Sequence, residues 1–263
     1  MLLFADFHIH SKYSRGSSSN MEPRTLCSFA KLKGLNVLGT GDFSHPKWLT
    51  ELKEKLEEVG DTGFYTLREG GGDVFFVLTN EVSTSFEFEG GAKNVHHLIL
   101  AENFDVVDQV NEVLAKYGNL GADGRPVLEC ASAELVESLI QVDQDILVVP
   151  AHLWTSWFGA LGERGFNSLE ECYGDMVNHI YAVETGLSSD PSMNWRLSSL
   201  DRYVLLSNSD SHSPWPWRLG REANVFNLKE PSFRNLVDAV RKKDKQRIVM
   251  TIEVPPEYGI HPQ

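Results

Sequence analysis

Two histidines one residue apart, His8 and His10, close the first apolar run of the chain, Phe4-Ala-Asp-Phe-His-Ile-His10. Asp210 and His212 repeat that spacing in Ser207-Asn-Ser-Asp-Ser-His212. On a strand, residues i and i+2 point to the same face, so each pair aims two metal-capable groups at one spot. Imidazole suits zinc, manganese or iron, and a carboxylate can bridge two ions. Two-metal sites lower the pKa of a bridging water and clamp both oxygens of a phosphoryl displacement. The two pairs lie about two hundred residues apart, so only a scaffold that brings distant strand ends together can join them.

The elements that must position these groups alternate. Strands are predicted over residues 2–10, 36–40, 74–78, 95–101, 146–149, 180–183, 203–206 and 247–251, and helices over 22–33, 46–59, 104–116, 132–141 and 231–243. Strand, loop and helix repeated about seven times indicate a parallel sheet, closed as an α/β barrel. His8, His10, Asp42, Glu81, His152, Glu184, Asp210 and His212 all fall just after predicted strands. In a barrel that position is the catalytic rim. An open doubly wound sheet is the alternative, but no glycine-rich phosphate fingerprint follows the first strand. The bland reading of the same residues is a polar network that plugs the top of the barrel.

The bulk numbers fit this picture. A chain of 263 residues with 41% hydrophobic residues suits one large domain with a sizeable core. A net charge of −13, from 24 basic and 37 acidic residues, argues against non-specific affinity for duplex phosphates by this chain alone. It leaves nucleic acid open, because bound cations supply positive charge locally. Cys27, Cys130 and Cys172 are scattered without a Cys-x-x-Cys pair, which argues against a cysteine zinc knuckle and fits a reducing compartment. The start lacks the pattern of a signal peptide and no apolar run approaches the ~20 residues of a membrane span. The expectation is a cytoplasmic protein with no membrane partner.

Phe4-Ala-Asp-Phe-His-Ile-His-Ser11 resembles the opening motif of the polymerase and histidinol phosphatase (PHP) family, and Thr40-Gly-Asp42 resembles its second motif, usually Thr-Asp-His. Glu81, the His96 segment, Pro150-Ala-His152 and Ser209-Asp-Ser-His212 follow in family order. The resemblance covers nearly the whole chain. It implies a single domain over residues 1–263, a distorted (β/α)7 barrel of the TIM-like kind, with two or three divalent ions at the C-terminal rim of the strands. Zinc is the expected metal, with manganese or magnesium as alternatives. Carried over by residue, one ion rests on His8, His10, Glu81 and Asp210. Glu81 bridges to a second ion on His96 and His152, and a third uses His212. Asp42, also expected among the metal residues, stands where the family usually has histidine. Ser11 to Gly16 lacks the extra ligand many members carry, which weakens the third site. His96 and His97 compete for one role; Val95-His-His-Leu-Ile99 favours His96, leaving His97 to the core. The resemblance assigns catalysis to Asp210, Glu81 and His212.

Three further segments, Ala151-His-Leu-Trp-Thr-Ser-Trp-Phe158, Glu184-Thr-Gly-Leu-Ser-Ser-Asp-Pro-Ser-Met-Asn-Trp-Arg196 and His212-Ser-Pro-Trp-Pro-Trp-Arg-Leu-Gly-Arg221, resemble endonuclease Q. That likeness implies DNA cleavage on the 5′ side of deaminated bases or abasic sites, in DNA repair. It also implies a zinc-finger segment and a further domain beyond the end of this chain, and a sliding-clamp contact is expected only through such regions. Trp154, Trp157, Phe158, Trp195, Trp215 and Trp217 place aromatic faces in rim loops, where they could stack on bases; ordinary loop packing is the alternative. Arg196, Arg218 and Arg221 could hold phosphates, unless they pair with acids such as Glu222 and Asp190. A histidinol-phosphatase-like esterase of small molecules is the rival enzyme. A non-catalytic, metal-stabilised module of a repair complex is the rival from another class.

Overall fold

The computed structural model describes residues 1–70 and 72–258. The chain end beyond Tyr258, where the sequence likeness places a continuation, lies outside the described residues. In chain order the elements are β1 (Leu2–Asp6), α1 (Pro23–Lys33), β2 (Val37–Gly39), α2 (Pro46–Lys55), β3 (Leu56–Glu58), β4 (Tyr65–Leu67), β5 (Phe75–Phe88), β6 (Gly91–Ala101), α3 (Phe104–Leu114), β7 (Val127–Leu128), α4 (Ser132–Val142), β8 (Leu147–Pro150), α5 (Leu169–Tyr173), β9 (Ala182–Glu184), α6 (Pro191–Asn194), β10 (Val204–Leu206), β11 (Ala223–Asn227), α7 (Phe233–Arg241) and β12 (Ile248–Ile252).

Local chemistry sets several of these boundaries. Pro23 opens α1, where its missing N–H costs nothing, and Gly34 closes the helix in the left-handed conformation at φ +89°, its N–H on Ala30 O. Asn103 and Ser232 cap α3 and α7 by accepting from Val106 N and Asn235 N, the usual way to satisfy free N-terminal amides. The hairpin between β5 and β6 turns at Glu89 and Gly90, both at positive φ (+49° and +79°). That is the twist a two-residue hairpin turn needs.

The sheet is mixed rather than parallel. β1–β2 and β2–β5 are parallel, whereas β5–β6, β6–β8, β1–β11 and β11–β12 are antiparallel. β9 and β10 form a separate parallel pair; past the strand ends Ile9 bridges Ser211, and Leu153 N donates to Glu184 O of β9. The ladders among the described residues therefore do not close into the expected (β/α)7 barrel. Two departures explain this. β5 runs ten residues past its predicted end and pairs antiparallel along the whole of β6, where a parallel neighbour was expected. β11 was not predicted, and it pairs with β1 antiparallel. The predicted helix over 46–59 also stops at Lys55, where the chain extends into β3. Both sheets nevertheless enclose one apolar interior. Leu3, Phe7, Val77, Leu98, Val149, Ala182, Leu206 and Phe226 from seven strands and the β1 exit pack together with Phe233 and Val237 of α7. The metal-capable groups gather at one end of that interior.

Candidate metal centre

His8 and His10 leave the end of β1, Glu81 lies midway along β5, His96 midway along β6, His152 follows β8 and Asp210 follows β10. All are buried except Asp210, whose side chain is 22% exposed. One group of ligand atoms comprises His8, His10, Glu81 and Asp210; a second comprises Glu81, His96 and His152; within each group the atoms lie within 4.8 Å of one another. Glu81 belongs to both through different oxygens. Its Oε1 is 2.8 Å from His96 Nδ1 and 2.9 Å from His152 Nε2. Its Oε2 is 3.3 Å from His10 Nε2 and 3.5 Å from His8 Nε2. Asp210 Oδ1 completes the first group at 3.1 Å from His10 Nε2 and 3.6 Å from His8 Nε2.

Strand pleating decides which histidine of the His96-His97 pair takes part. Glu81 and Ser83 share a face of β5, and His96 sits opposite Ser83 on β6, so it falls beside Glu81. His97 points the other way, to Tyr173 Oη and Thr84 Oγ1, both at 3.0 Å. Burial holds its pKa down at about 3, so it is a neutral core histidine.

A second layer of acids turns the rings. Glu184 accepts from His8 Nδ1 through both oxygens at 3.0 Å, from His152 N at 2.7 Å and from Asn208 Nδ2 at 2.8 Å. With Nδ1 committed, His8 Nε2 is left buried and without a hydrogen-bond partner, aimed at Glu81 and Asp210. An orphaned imidazole nitrogen facing two carboxylates fits a cation. Asp42 does not join either ligand group. It stands behind His10, accepting from Nδ1 at 3.1 Å, Ser11 N at 2.6 Å and Ser14 Oγ at 2.9 Å. Burial alone would raise the Glu81 carboxyl, but the facing His96 and His8 outweigh it and hold it well below the usual carboxylate range. For His8 and His10 burial lowers the pKa, and Glu184 and Asp42 respectively head the acids that drive it well above normal.

The backbone is strained at this centre. Among the described residues five non-glycine residues have positive φ, and three of them are Asp42 (+51°), His152 (+29°) and Asp210 (+47°). Such conformations cost about 1–3 kcal/mol each and persist where the surroundings over-determine them. For the Asp210 turn those surroundings are visible. Ser209 N donates to Asp6, Ser209 O accepts from both Nε and Nη2 of Arg221, and His10 N donates to Ser211 O.

His212 lies outside both ligand groups. Its Nδ1 bonds Asp210 O at 3.0 Å and its ring centre is 4.2 Å from that of His10. Arg221, expected at the substrate, is spent on Ser209 O. Arg196 and Arg218 are exposed and make no side-chain hydrogen bond or ion pair among the described residues. Asp190 caps α6 through Met193 N. Trp154 is partly buried, its Nε1 on Asn194. Trp157, Trp195 and Trp217 are 55%, 68% and 69% exposed; Trp157 lies under Arg164, and its neighbour Phe158 stacks on His96 at 4.5 Å. Sequence reasoning missed one residue at the centre, Arg125, whose Nη1 is 3.2 Å from Glu81 Oε2. Its segment, Ala122-Asp-Gly-Arg-Pro126, signals only a turn.

No family model matches the chain. It is 36% identical over 179 residues, 67% of its length, to an uncharacterized protein of Methanocaldococcus jannaschii, 20% of which is covered. An uncharacterized protein of Bacillus subtilis is 26% identical across 98% of the chain and 66% of its own length. The lesion-specific endonuclease Q of Pyrococcus furiosus superimposes with a TM-score of 0.86 at 33% identity, over 97% of this chain and 60% of that one. Endonuclease Q in complex with a 27-mer duplex, an abasic lesion at its active site, gives 0.85 at the same identity. The sequence and fold likeness to endonuclease Q is consistent with a PHP-type domain. The chain thus spans three fifths of the endonuclease Q chain, a fifth of the Methanocaldococcus protein and just under two thirds of the Bacillus one. No helix among the described residues is long and apolar enough to cross a membrane.

Proposed function

We propose that the chain is the catalytic domain of a metal-dependent endonuclease that cuts DNA on the 5′ side of abasic sites and deaminated bases. The observation that carries this reading is the division of Glu81, one oxygen to His8 and His10, the other to His96 and His152. A carboxylate so placed would bridge two cations held by those histidines and Asp210. Zinc is favoured by four imidazoles and two carboxylates. Such ions, when bound, supply an activated water and neutralise charge developing on the phosphate oxygens.

The chain's own residues prepare that chemistry. Glu184 and Asp42 fix His8 and His10 with Nε2 toward the cleft. The Asp210 turn brings its carboxylate in under strain. His212 is half-exposed with Nε2 unbonded among the described residues, so it is placed to hold a third ion or to give a proton to the leaving oxygen. Exposed Trp157, Trp195 and Trp217 supply faces for a displaced base, and Arg196 and Arg218 supply phosphate contacts. The two sheets are read as an opened form of the (β/α)7 barrel, because β9–β10 completes the wall around the apolar interior. A cytosolic DNA-repair role fits this reading.

The test is incubation of the purified chain, loaded with zinc, manganese or magnesium, with duplexes carrying an abasic site, uracil or hypoxanthine, and with an undamaged control. The expected result is a nick 5′ to the lesion, abolished by Asp210→Asn. Absence of cleavage both by this chain and by a longer protein containing it overturns the proposal. Turnover of phosphate monoesters with no action on DNA would point instead to a small-molecule esterase.

A further inference from the structure

We propose that Arg125 is the residue that receives the phosphate at the metal centre, binding a non-bridging oxygen beside Glu81. This rests on the reading of the cleft as a phosphodiester site. Among the described residues Arg125 is the only lysine or arginine paired with a member of either ligand group. Its Nη1 meets Glu81 Oε2 at 3.2 Å, the oxygen shared with His8 and His10. The His8, His10 and Glu81 side chains are closed to solvent, whereas Arg125 is 31% exposed. Together with Asp210 (22%) and His212 (32%) it forms the accessible edge of the centre.

Among the described residues the guanidinium uses one of its five donors on protein, so four remain for a ligand. A planar fork of that kind matches phosphate oxygens two at a time. Its backbone is held for the purpose. Asp123 Oδ1 accepts from Arg125 N at 3.0 Å, Gly124 N donates to Tyr13 O at 3.2 Å, and Ser83 N donates to Pro126 O at 3.0 Å. The turn is thereby tied both to the loop after β1 and to β5, the two segments that carry His10 and Glu81. Gly124 packs so tightly that a Cβ would lie 2.3 Å from both Asp42 Oδ2 and Ser14 Oγ. The other arginines first considered for phosphate sit elsewhere: Arg221 is engaged with Ser209 O, and Arg196 and Arg218 touch no ligand residue. A cation beside Glu81 opposes divalent binding, and a bound phosphate would offset that charge.

The experiment measures metal content and orthophosphate binding by titration calorimetry for the metal-loaded chain, Arg125→Ala and Arg125→Lys, alongside cleavage of the abasic duplex. The expected result is full metal content in all three. Orthophosphate binding should weaken roughly tenfold to hundredfold in Arg125→Ala, the loss of a charge-assisted hydrogen bond, with partial recovery in Arg125→Lys. Orthophosphate bound equally by Arg125→Ala, no orthophosphate bound by the wild type, or loss of metal from Arg125→Ala would each overturn the assignment. Arg125-dependent orthophosphate binding without lesion cleavage, by this chain or by a longer protein containing it, would sink the endonuclease reading and leave this assignment standing.

Discussion

Glu184→Gln isolates the layer behind the ligands. The carboxylate serves three donors: Oε1 faces His8 Nδ1 and Asn208 Nδ2, and Oε2 faces His8 Nδ1 and His152 N. Glutamine keeps the shape but replaces one oxygen with an amine. Whichever way the amide turns, its NH2 meets either the Asn208 amine or the His152 N–H. One buried donor then loses its acceptor, at a cost of about 1–3 kcal/mol. His8 Nδ1 also loses a charged partner, and removing the group that orients a metal-bound histidine typically costs about 10–100-fold in metal affinity. The two effects separate experimentally. Denaturant unfolding in excess chelator should show a loss of about 1–3 kcal/mol. Competition with a chromophoric chelator should show metal binding weakened by at least about tenfold. A variant that unfolds with the wild type under chelation and binds metal as tightly would refute the claim that Glu184 sets the His8 ring.

Three other perturbations follow from the geometry. Gly124→Ala places a Cβ against Asp42 and Ser14; overpacking of about 1–3 kcal/mol should lower stability and metal occupancy together, and a well-bound metal in a normally stable variant would contradict it. Burial and the neighbouring Glu253 push the Glu222 pKa up to about 9. Between its ordinary value near 4.5 and about 9 the folded chain therefore holds a proton that the unfolded chain has released, and stability falls as pH rises. Glu222→Gln should thus stabilise increasingly from pH 5 to pH 9 and give no gain below about pH 4.5; an equal gain at pH 4 and pH 8 would show that titration is not the cause. Trp157→Ala removes an exposed ring, so unfolding should move by less than about 0.5 kcal/mol, while affinity for the abasic duplex should drop by about 1–3 kcal/mol. Unchanged DNA affinity would return Trp157 to a surface role.

The sequence read alone marks the candidate ligands because metal chemistry narrows residue type, and strand pleating narrows spacing. His8 with His10 and Asp210 with His212 stand out by type and spacing, and Glu81 and His152 by falling after predicted strands, whereas the choice of His96 over His97 rests on the family resemblance of Val95-His-His-Leu-Ile99. Positions that depend on a partner far along the chain were not visible. Asp42 reads as one more ligand, yet it lies behind His10. Arg221 reads as a phosphate contact, yet it is used to hold the strained turn before Asp210.

Long-range pairing was equally hidden. β5 past Leu78 is rich in Ser, Thr and Glu, and its alternation gained meaning only from the β6 strand beside it. β11 declares itself only by joining β1 across more than two hundred residues. Local composition therefore determined which atoms were available and in which pairs they would point. Tertiary structure decided which oxygen of Glu81 met which histidine, which acid stood behind which ring, and that Arg125 would be there at all. The reason is that ligand geometry at such a centre is fixed by several chain segments converging within a few ångströms, and no single segment carries the coordinates of the others.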